Sequence, residues 1–494
     1  MRGTLMALAA VALLTACTTT HSIPEREPGS AVPGEGTRCG DDLLEGLGAW
    51  ARAGFSGSVV VSTGGEPDCL AAFGSADGAG DGAAGTANTV DTVFAIGSVS
   101  KAFTAAAVLG LVDAGELSLD DRAGNVITDL EGPPARATVE QLLLHTSGLT
   151  GSHGDDHEPL DRDAAVAAIG RLERAFPPGT DSLYSNSGYT LLALLVEEVT
   201  EAGYRDHMAA EVLPLPDGGT AGGFWDGEPA APGPRAVGLL ETGPAEQRGG
   251  FAGPHWALDG NGDLAMSAPD LAAWTHALFT GGVVPPEAVA TITAPGFDHG
   301  DGTAEAPGWV SLDASVHGTP ALASSGGGGD TGHEAVAVWV PQDERVVVAV
   351  SNSGGVRAGD LMREAGPALL AGGPPPPPGP GAAPDDFGDF DDADVAAHEQ
   401  GVRTLLDGGS REGHEEREAL ESELGPLVSV EVLGTVVAEA ELRTYVTASS
   451  ATDSTTLWYA LDERGGVAAV EGSVDAPPSL SPAPPAAPSA DTAD

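Results

Sequence analysis

Apolar residues fall along this chain in runs of different period, and each run predicts an element. Ser58-Val59-Val60-Val61 and Leu70-Ala71-Ala72-Phe73 are short β-branched and apolar runs that predict a hairpin; Val93-Phe94-Ala95-Ile96 predicts a further strand. From Ala102 to Val112 nearly every position is apolar, which predicts a helix buried on all sides and ending near Gly115. From Gly115 to about Trp274 the pattern is one of helices and long loops. One helix with a clear apolar face is predicted from Tyr189, and another around Leu271 with Asp270 in its first turn. Ala335 to Val340 and Arg345 to Val350 are strong strand runs, joined by the turn Pro341-Gln342-Asp343-Glu344. A helix from Leu361 to Leu370 completes this region.

Beyond it the pattern breaks. Gly372 to Pro380 contains five consecutive prolines and reads as a stiff polyproline linker. A smaller unit follows, with helical periodicity over Val395 to Leu406 and Glu415 to Leu424. Strand patterning then covers Leu427 to Val437, Glu441 to Thr447, Thr456 to Leu461 and Val467 to Val470. This predicts an α+β unit with an antiparallel sheet. The Pro/Ala/Ser tail from Ala476 has no such pattern and reads as disordered.

The N-terminus reads as an export signal. Arg2 supplies a positive charge, Leu5 to Leu14 an apolar stretch too short to span a bilayer, and Leu14-Thr15-Ala16-Cys17 resembles a bacterial lipobox. That resemblance implies lipidation at Cys17 and a membrane-anchored protein outside the cytoplasm. Residues 18–40 read as a disordered tether. The expected division is therefore 1–17 signal, 18–40 tether, 41–371 main domain, 372–386 linker, 387–473 small α+β domain and 474–494 tail. Of three cysteines, Cys39 and Cys69 remain. In an oxidising compartment they are expected to bridge, tying the helix after Cys39 to a sheet edge and adding about 3–4 kcal/mol by loop closure.

Composition narrows the function. A net charge of −52 excludes the basic footprint that nucleic acid requires and electrostatic adhesion to anionic lipid, leaving the lipid anchor as the only membrane contact. No His/Asp/Glu cluster has ligand spacing and no phosphate loop is present, so no metal or organic cofactor is expected.

The candidate chemistry begins at Ser98-Val99-Ser100-Lys101. Lys101 is the one lysine in 494 residues, every other basic side chain of the Lys/Arg class being Arg. A lysine can lose its proton when desolvated, whereas Arg stays charged. At i and i+3 on a helix, Ser98 and Lys101 share a face, which makes a nucleophile and its activator. Two more blocks stand out: Leu142-Leu143-Leu144-His145-Thr146-Ser147-Gly148-Leu149, and Tyr184-Ser185-Asn186 after the Pro177-Pro178-Gly179 turn.

Together, in this order, the three blocks resemble the serine β-lactamase and penicillin-binding-protein-like family, with class C β-lactamases, D-alanyl-D-alanine carboxypeptidases and related esterases as the nearest types. The resemblance covers about Asp41 to Leu370. It implies an α/β fold of the β-lactamase/transpeptidase type: an antiparallel sheet flanked by helices plus an all-α subdomain, here followed by the small C-terminal α+β domain. It implies that Ser98 is the acylated nucleophile and Lys101 its base. Tyr184 would be a second general base and acid, its phenol drawn toward neutrality by a nearby ammonium. Asn186 would hold the acyl side chain and the Lys101 amine, and His145 would be structural. The family's third motif is a basic residue followed by Thr/Ser-Gly on a strand. Here the matching region is Ser324-Ser325-Gly326-Gly327-Gly328-Gly329-Asp330-Thr331-Gly332-His333. Gly326, or with a one-residue shift Ser325, takes the basic position, and Gly328 and Gly329 fall where an oxyanion-binding N–H is expected. Either way the cation is missing, unless His333 supplies a charge. The reading is an exported serine hydrolase acting on an amide or ester, a D-Ala peptide, β-lactam-like or small ester substrate; the alternatives are a slowly turning-over acyl-binding or sensing lipoprotein and an esterase without β-lactamase activity. It names no partner for the C-terminal domain.

Overall fold

Val346, Val348 and Val350 point to one side of their strand, Val347 and Ala349 to the other, and all five are fully buried. A strand reads as a continuous apolar run only if both sheet faces are covered, and here both are. The computed structural model describes residues 32–77, 85–240, 243–245, 253–328, 331–379, 392–406, 411–438, 441–450, 454–461 and 467–472. The leader with Cys17, tether residues 18–31, Gly329, linker residues 380–386 and the tail lie outside these.

The valine strand, Arg345–Ser351, sits within an eight-stranded antiparallel sheet. From one edge the order is Arg38–Cys39, Glu66–Phe73, Gly57–Thr63, Arg345–Ser351, His333–Val340, Ala321–Gly328, Trp309–Leu312 and Thr303–Ala306. On one face the helices Asp41–Arg52 and Ala358–Leu370 bring Leu47, Trp50, Leu361 and Leu369 onto Val59, Val61, Val338 and Val347. On the other lie the helices Ser100–Asp113 and Ala268–Phe279, with Phe103 stacked on Trp274 at 3.5 Å between ring centroids. The Ser100–Asp113 helix is apolar all round because it is enclosed all round. Between Ala123 and Val212 the named elements are all helices, joined by loops, and the helix Asn186–Thr200 packs against Ser100–Asp113. This is the antiparallel sheet with flanking helices and all-α region that the sequence predicted.

The helix predicted from Tyr189 begins three residues earlier, at Asn186. Ser185 caps it, its hydroxyl accepting the Gly188 N–H at 3.1 Å. Asn186 is thus held by the first turn of a helix and not by a loop.

Two segments expected to be spacers are in part docked. In the tether, Gly34 N–H donates to Ala72 O at 2.8 Å, Val90 N–H donates to Glu35 O, and Arg38–Cys39 forms the edge strand. Cys39 lies opposite Cys69 in that pairing and is disulfide-bonded to it, 30 residues away. In the linker, Pro375 packs against Gly46, the Trp50 indole N–H donates to Pro376 O at 2.8 Å, and Gly379 N–H donates to a Glu364 carboxylate oxygen. Proline has no N–H to leave unsatisfied, so such a run can lie along a helix and offer only carbonyls.

The C-terminal unit pairs the helices Asp392–Leu406 and Arg411–Leu424 with a four-stranded antiparallel sheet: Leu427–Ala438, Glu441–Ser450, Ser454–Leu461 and Val467–Gly472. One face of this sheet, with Val446, Ala448, Leu457 and Tyr459, closes on Val402, Leu405, Leu406 and Leu420 of the helices.

Candidate active site

Gly97 has φ +51°, a left-handed conformation that suits glycine, and turns the chain from the strand Val93–Ala95 into the 3-10 turn Gly97–Val99. Ser98 sits in that turn. Lys101, one turn on, is 3% exposed, and its Nζ lies 3.0 Å from Ser98 Oγ, 2.7 Å from Asn186 Oδ1 and 2.8 Å from the carbonyl oxygen of Asn261. Burial pushes the lysine well below its ordinary value; the charges of Asp263 and Asp156 pull the other way and are outweighed. Asn186 Oδ1 and Asn261 O can only accept, so the amine donates to both; in the neutral form, which burial favours, its lone pair would face the Ser98 hydroxyl.

Tyr184 completes the group. Its hydroxyl donates to Ser98 Oγ at 2.5 Å, and its ring is 4.6 Å from Lys101 Nζ. The side chain is 54% exposed, with its hydroxyl turned to Ser98. Burial of that end pushes the phenol up, against a weaker downward pull from the Ser98 hydrogen bond. The expectation of a phenol drawn toward neutrality is therefore reversed. With the phenol pushed up, its hydroxyl faces Ser98 as a hydrogen-bond donor.

The segment that carries Tyr184 is fastened by His145. The Ser185 N–H donates to His145 Nδ1 at 3.1 Å, the Leu183 N–H donates to the His145 carbonyl at 2.9 Å, and the imidazole lies 4.7 Å from the Tyr184 ring. Burial pushes His145 down to about 4, which keeps Nδ1 an acceptor. His145 itself has φ +57°. Ser182 adds a hydrogen bond from its hydroxyl to Glu305 Oε1 at 3.0 Å.

The glycine run approaches Ser98 two residues earlier than expected. A Cβ on Gly326 would stand 2.3 Å from Ser98 N and 2.4 Å from Ile96 O, and a Cβ on Gly97 would stand 2.9 Å from Gly327 N. The strand residues against the nucleophile are thus Gly326 and Gly327. Gly328 pairs with His333 one step farther along, and Gly329 lies outside the described residues. On its outer side this strand pairs with Trp309–Leu312 as far as Ala323, and among the described residues no strand pairs with it there beyond that point. No side chain fits at Gly326, so no cation can stand there. His333 does not replace it: it is buried, with ring contacts to Phe94 and Trp225.

Sequence reasoning missed Asn261, because its contribution is a backbone carbonyl. Its side chain donates to Thr190 Oγ1 and Ala257 O, both at 2.8 Å, which fixes that carbonyl's direction. The preceding Gly260, with φ +88°, was the one local sign of a tight turn there. A cleft of about 330 Å³ opens beside these groups, with Leu149, His153, Asp156, Tyr184, Asn186 and Thr435 in its walls.

A family model described as Beta-lactamase matches residues 41–369. Among curated proteins, a 128-residue stretch is 38% identical to Penicillin-binding protein 4 of Amycolatopsis lactamdurans, covering 25% of this chain and 34% of that protein. A 280-residue stretch is 29% identical to penicillin-binding protein PbpX of Bacillus subtilis, covering 56% of this chain and 69% of that protein. The chain thus spans about a third of the first relative's length and just over two thirds of the second's. Among solved structures, a penicillin binding protein from Bacillus halodurans aligns with a TM-score of 0.53 at 24% identity, over 65% of this chain and 98% of its own. The octameric penicillin-binding protein homologue from Pyrococcus abyssi aligns with a TM-score of 0.54 at 19% identity, over 86% and 92%. At such identities these two likenesses speak for the fold.

Proposed function

The chain belongs to the beta-lactamase family, and from that premise we propose that it is an exported serine hydrolase that forms an acyl-enzyme on Ser98. The observation that carries this reading is the position of the buried Lys101 amine, 3.0 Å from Ser98 Oγ and held by the acceptors Asn186 Oδ1 at 2.7 Å and Asn261 O at 2.8 Å. Ser98 Oγ attacks the carbonyl carbon of an ester or amide, and its proton passes to Lys101 Nζ. The N–H groups of Ser98 and Gly327 hold the developing oxyanion. The leaving alcohol or amine takes a proton by way of the Tyr184 hydroxyl, and water then hydrolyses the acyl-enzyme. Tyr184 serves here as a proton donor and relay. Asn186 orients the amine and borders the acyl group.

Substrate preference follows from the third motif. With the approach to Ser98 two residues earlier than expected, its basic position falls at Ser324, a serine and not a cation. This weighs toward esters and amides over D-Ala-terminated peptides and β-lactams. The family supports hydrolysis, and the Cys39–Cys69 bridge supports an oxidising compartment, in keeping with a lipid anchor at Cys17.

The test is a pre-steady-state assay with a chromogenic ester, a cephalosporin and a D-Ala-D-Ala peptide. The expected result is a stoichiometric burst with the ester followed by turnover, lost in Ser98→Ala. A burst without turnover on any substrate would assign the protein as an acyl-binding sensor, and full activity in Ser98→Ala would refute the mechanism.

A further inference from the structure

The C-terminal sheet has two apolar faces, and its own helices cover only one. On the other, Tyr445, Trp458 and Ala460 are buried against Ala175, Phe176 and Leu183 of the main domain. The Phe176 and Tyr445 rings are 5.1 Å apart, and the Tyr445 hydroxyl donates to Asp181 Oδ2 at 2.5 Å. These partners belong to the segment that leads into Tyr184. The main domain holds this segment from one side, through Gly179 N–H to Thr146 O, Leu183 N–H to His145 O, and Ser182 to Glu305. The C-terminal sheet holds it from the other. The same sheet also reaches the cleft: Thr435, half-buried, stands in its wall with Tyr184 and Asn186. Its hydroxyl is 2.6 Å from that of Thr444, whose hydroxyl is 2.8 Å from His398 Nδ1, so Thr435 is tied back to a helix of its own unit.

We propose that the C-terminal unit completes the active site in cis: Tyr445 positions the Tyr184 segment, and Thr435 limits the length of the acyl group the cleft accepts. The proposal rests on the serine-hydrolase reading above and gives it a substrate class, esters and amides of short acyl groups. A wall at this end stops a longer chain from continuing past Asn186, and about 330 Å³ is at the small end of ligand clefts.

The experiment uses the full chain and two esters with the same leaving group, p-nitrophenyl acetate and p-nitrophenyl octanoate. The wild type is expected to prefer the acetate by kcat/KM. Thr435→Gly should raise the octanoate-to-acetate ratio of kcat/KM about tenfold and Thr435→Trp should lower it about tenfold. Tyr445→Ala should lower kcat about tenfold on both esters with KM little changed, and Tyr445→Phe, which keeps the ring against Phe176, should recover part of that loss. Amide hydrogen exchange gives a reading independent of turnover: in Tyr445→Ala the Gly179 and Leu183 amides should exchange about tenfold faster while Ala337 and Val348 in the central sheet do not change. An unchanged octanoate-to-acetate ratio in both Thr435 variants overturns the proposed limit on acyl length. Unchanged kcat and unchanged exchange in Tyr445→Ala overturn the positioning role. A wild type that neither ester acylates refutes the serine-hydrolase reading and the acyl limit with it, and the exchange data alone then decide the positioning role.

Discussion

Lys101 Nζ donates to the backbone carbonyl of Asn261 at 2.8 Å, and this contact, with the one to Asn186 Oδ1, fixes the direction in which the amine meets Ser98 Oγ. The amine is aimed by its acceptors. Both acceptors are themselves fixed, Asn186 by the first turn of its helix and Asn261 by two side-chain hydrogen bonds.

Lys101→Arg should fold and fail. The guanidinium keeps its charge and brings no lone pair to Ser98. Loss of a positioned base typically costs about 10²–10⁴-fold in rate. Burst amplitude and rate with a chromogenic ester measure this. A wild-type burst from the variant would remove Lys101 from the mechanism.

His145 links acid stability to activity. Its folded pKa of about 4 lies below the ordinary histidine value of 6.5, because burial disfavours the charged imidazolium. Above the unfolded value neither state binds the proton and the contribution is complete. As pH falls from 6.5 toward 4, the unfolded chain takes up a proton that the folded one refuses, and stability drops by something on the order of 3 kcal/mol. Urea melts from pH 7 to pH 4 should show this slope in the wild type and lose it in His145→Asn. Asparagine tolerates positive φ and offers an oxygen for the Ser185 N–H, so His145→Asn should retain much more kcat than His145→Ala.

Two glycines should respond in opposite senses to alanine. In Gly326→Ala the new methyl would stand 2.3 Å from Ser98 N. The nucleophile has to move, and acylation should fall by about 10²-fold or more. Gly110 lies in the Ser100–Asp113 helix with nothing within 4 Å of a Cβ. Gly110→Ala should stabilise the fold by about 0.5–1 kcal/mol with unchanged turnover. Thermal melts and ester kinetics on both variants decide the matter.

Behind Lys101 lies a buried charge group. Arg205 donates to Asp259 Oδ1 at 3.0 Å and 2.7 Å and to the Asp226 carbonyl at 2.5 Å. Asp263 next to Asp259 is pushed well above the ordinary carboxylate range, by burial first and the Asp259 charge second. Arg205→Met leaves Asp259 without its cation and should destabilise the protein by about 3–5 kcal/mol. Arg205→Met combined with Asp259→Asn should recover part of that loss, as chemical denaturation would show.

Much of this was legible in the chain itself. Ser98, Lys101, Tyr184 and Asn186 stand out because their chemistry resides in side chains at fixed spacing. The valine runs announced a sheet covered on both faces, because Val346 to Val350 leave no polar side for water. What stayed hidden is what the backbone contributes. Asn261 acts through its carbonyl, and Gly326 and Gly327 act by having nothing beyond Cα. In a run of four glycines sequence offers no landmark for register, so the approach to Ser98 was expected two residues too late. The direction of the Tyr184 shift was missed for a related reason. It depends first on the burial of the hydroxyl end, which is a property of the packed interior and not of the residue alone. The docking of the tether and linker was hidden too, since a glycine or proline segment reads the same whether it lies on a protein surface or in water.

The single lysine gives this protein a built-in spectroscopic label. Cells fed 15N-lysine would produce a chain with one enriched ammonium or amine nitrogen, placed at Ser98 and 3% exposed. One resonance, followed through a titration and again after acylation, would report the protonation of that nitrogen directly, with no mutation and no need to assign any other signal.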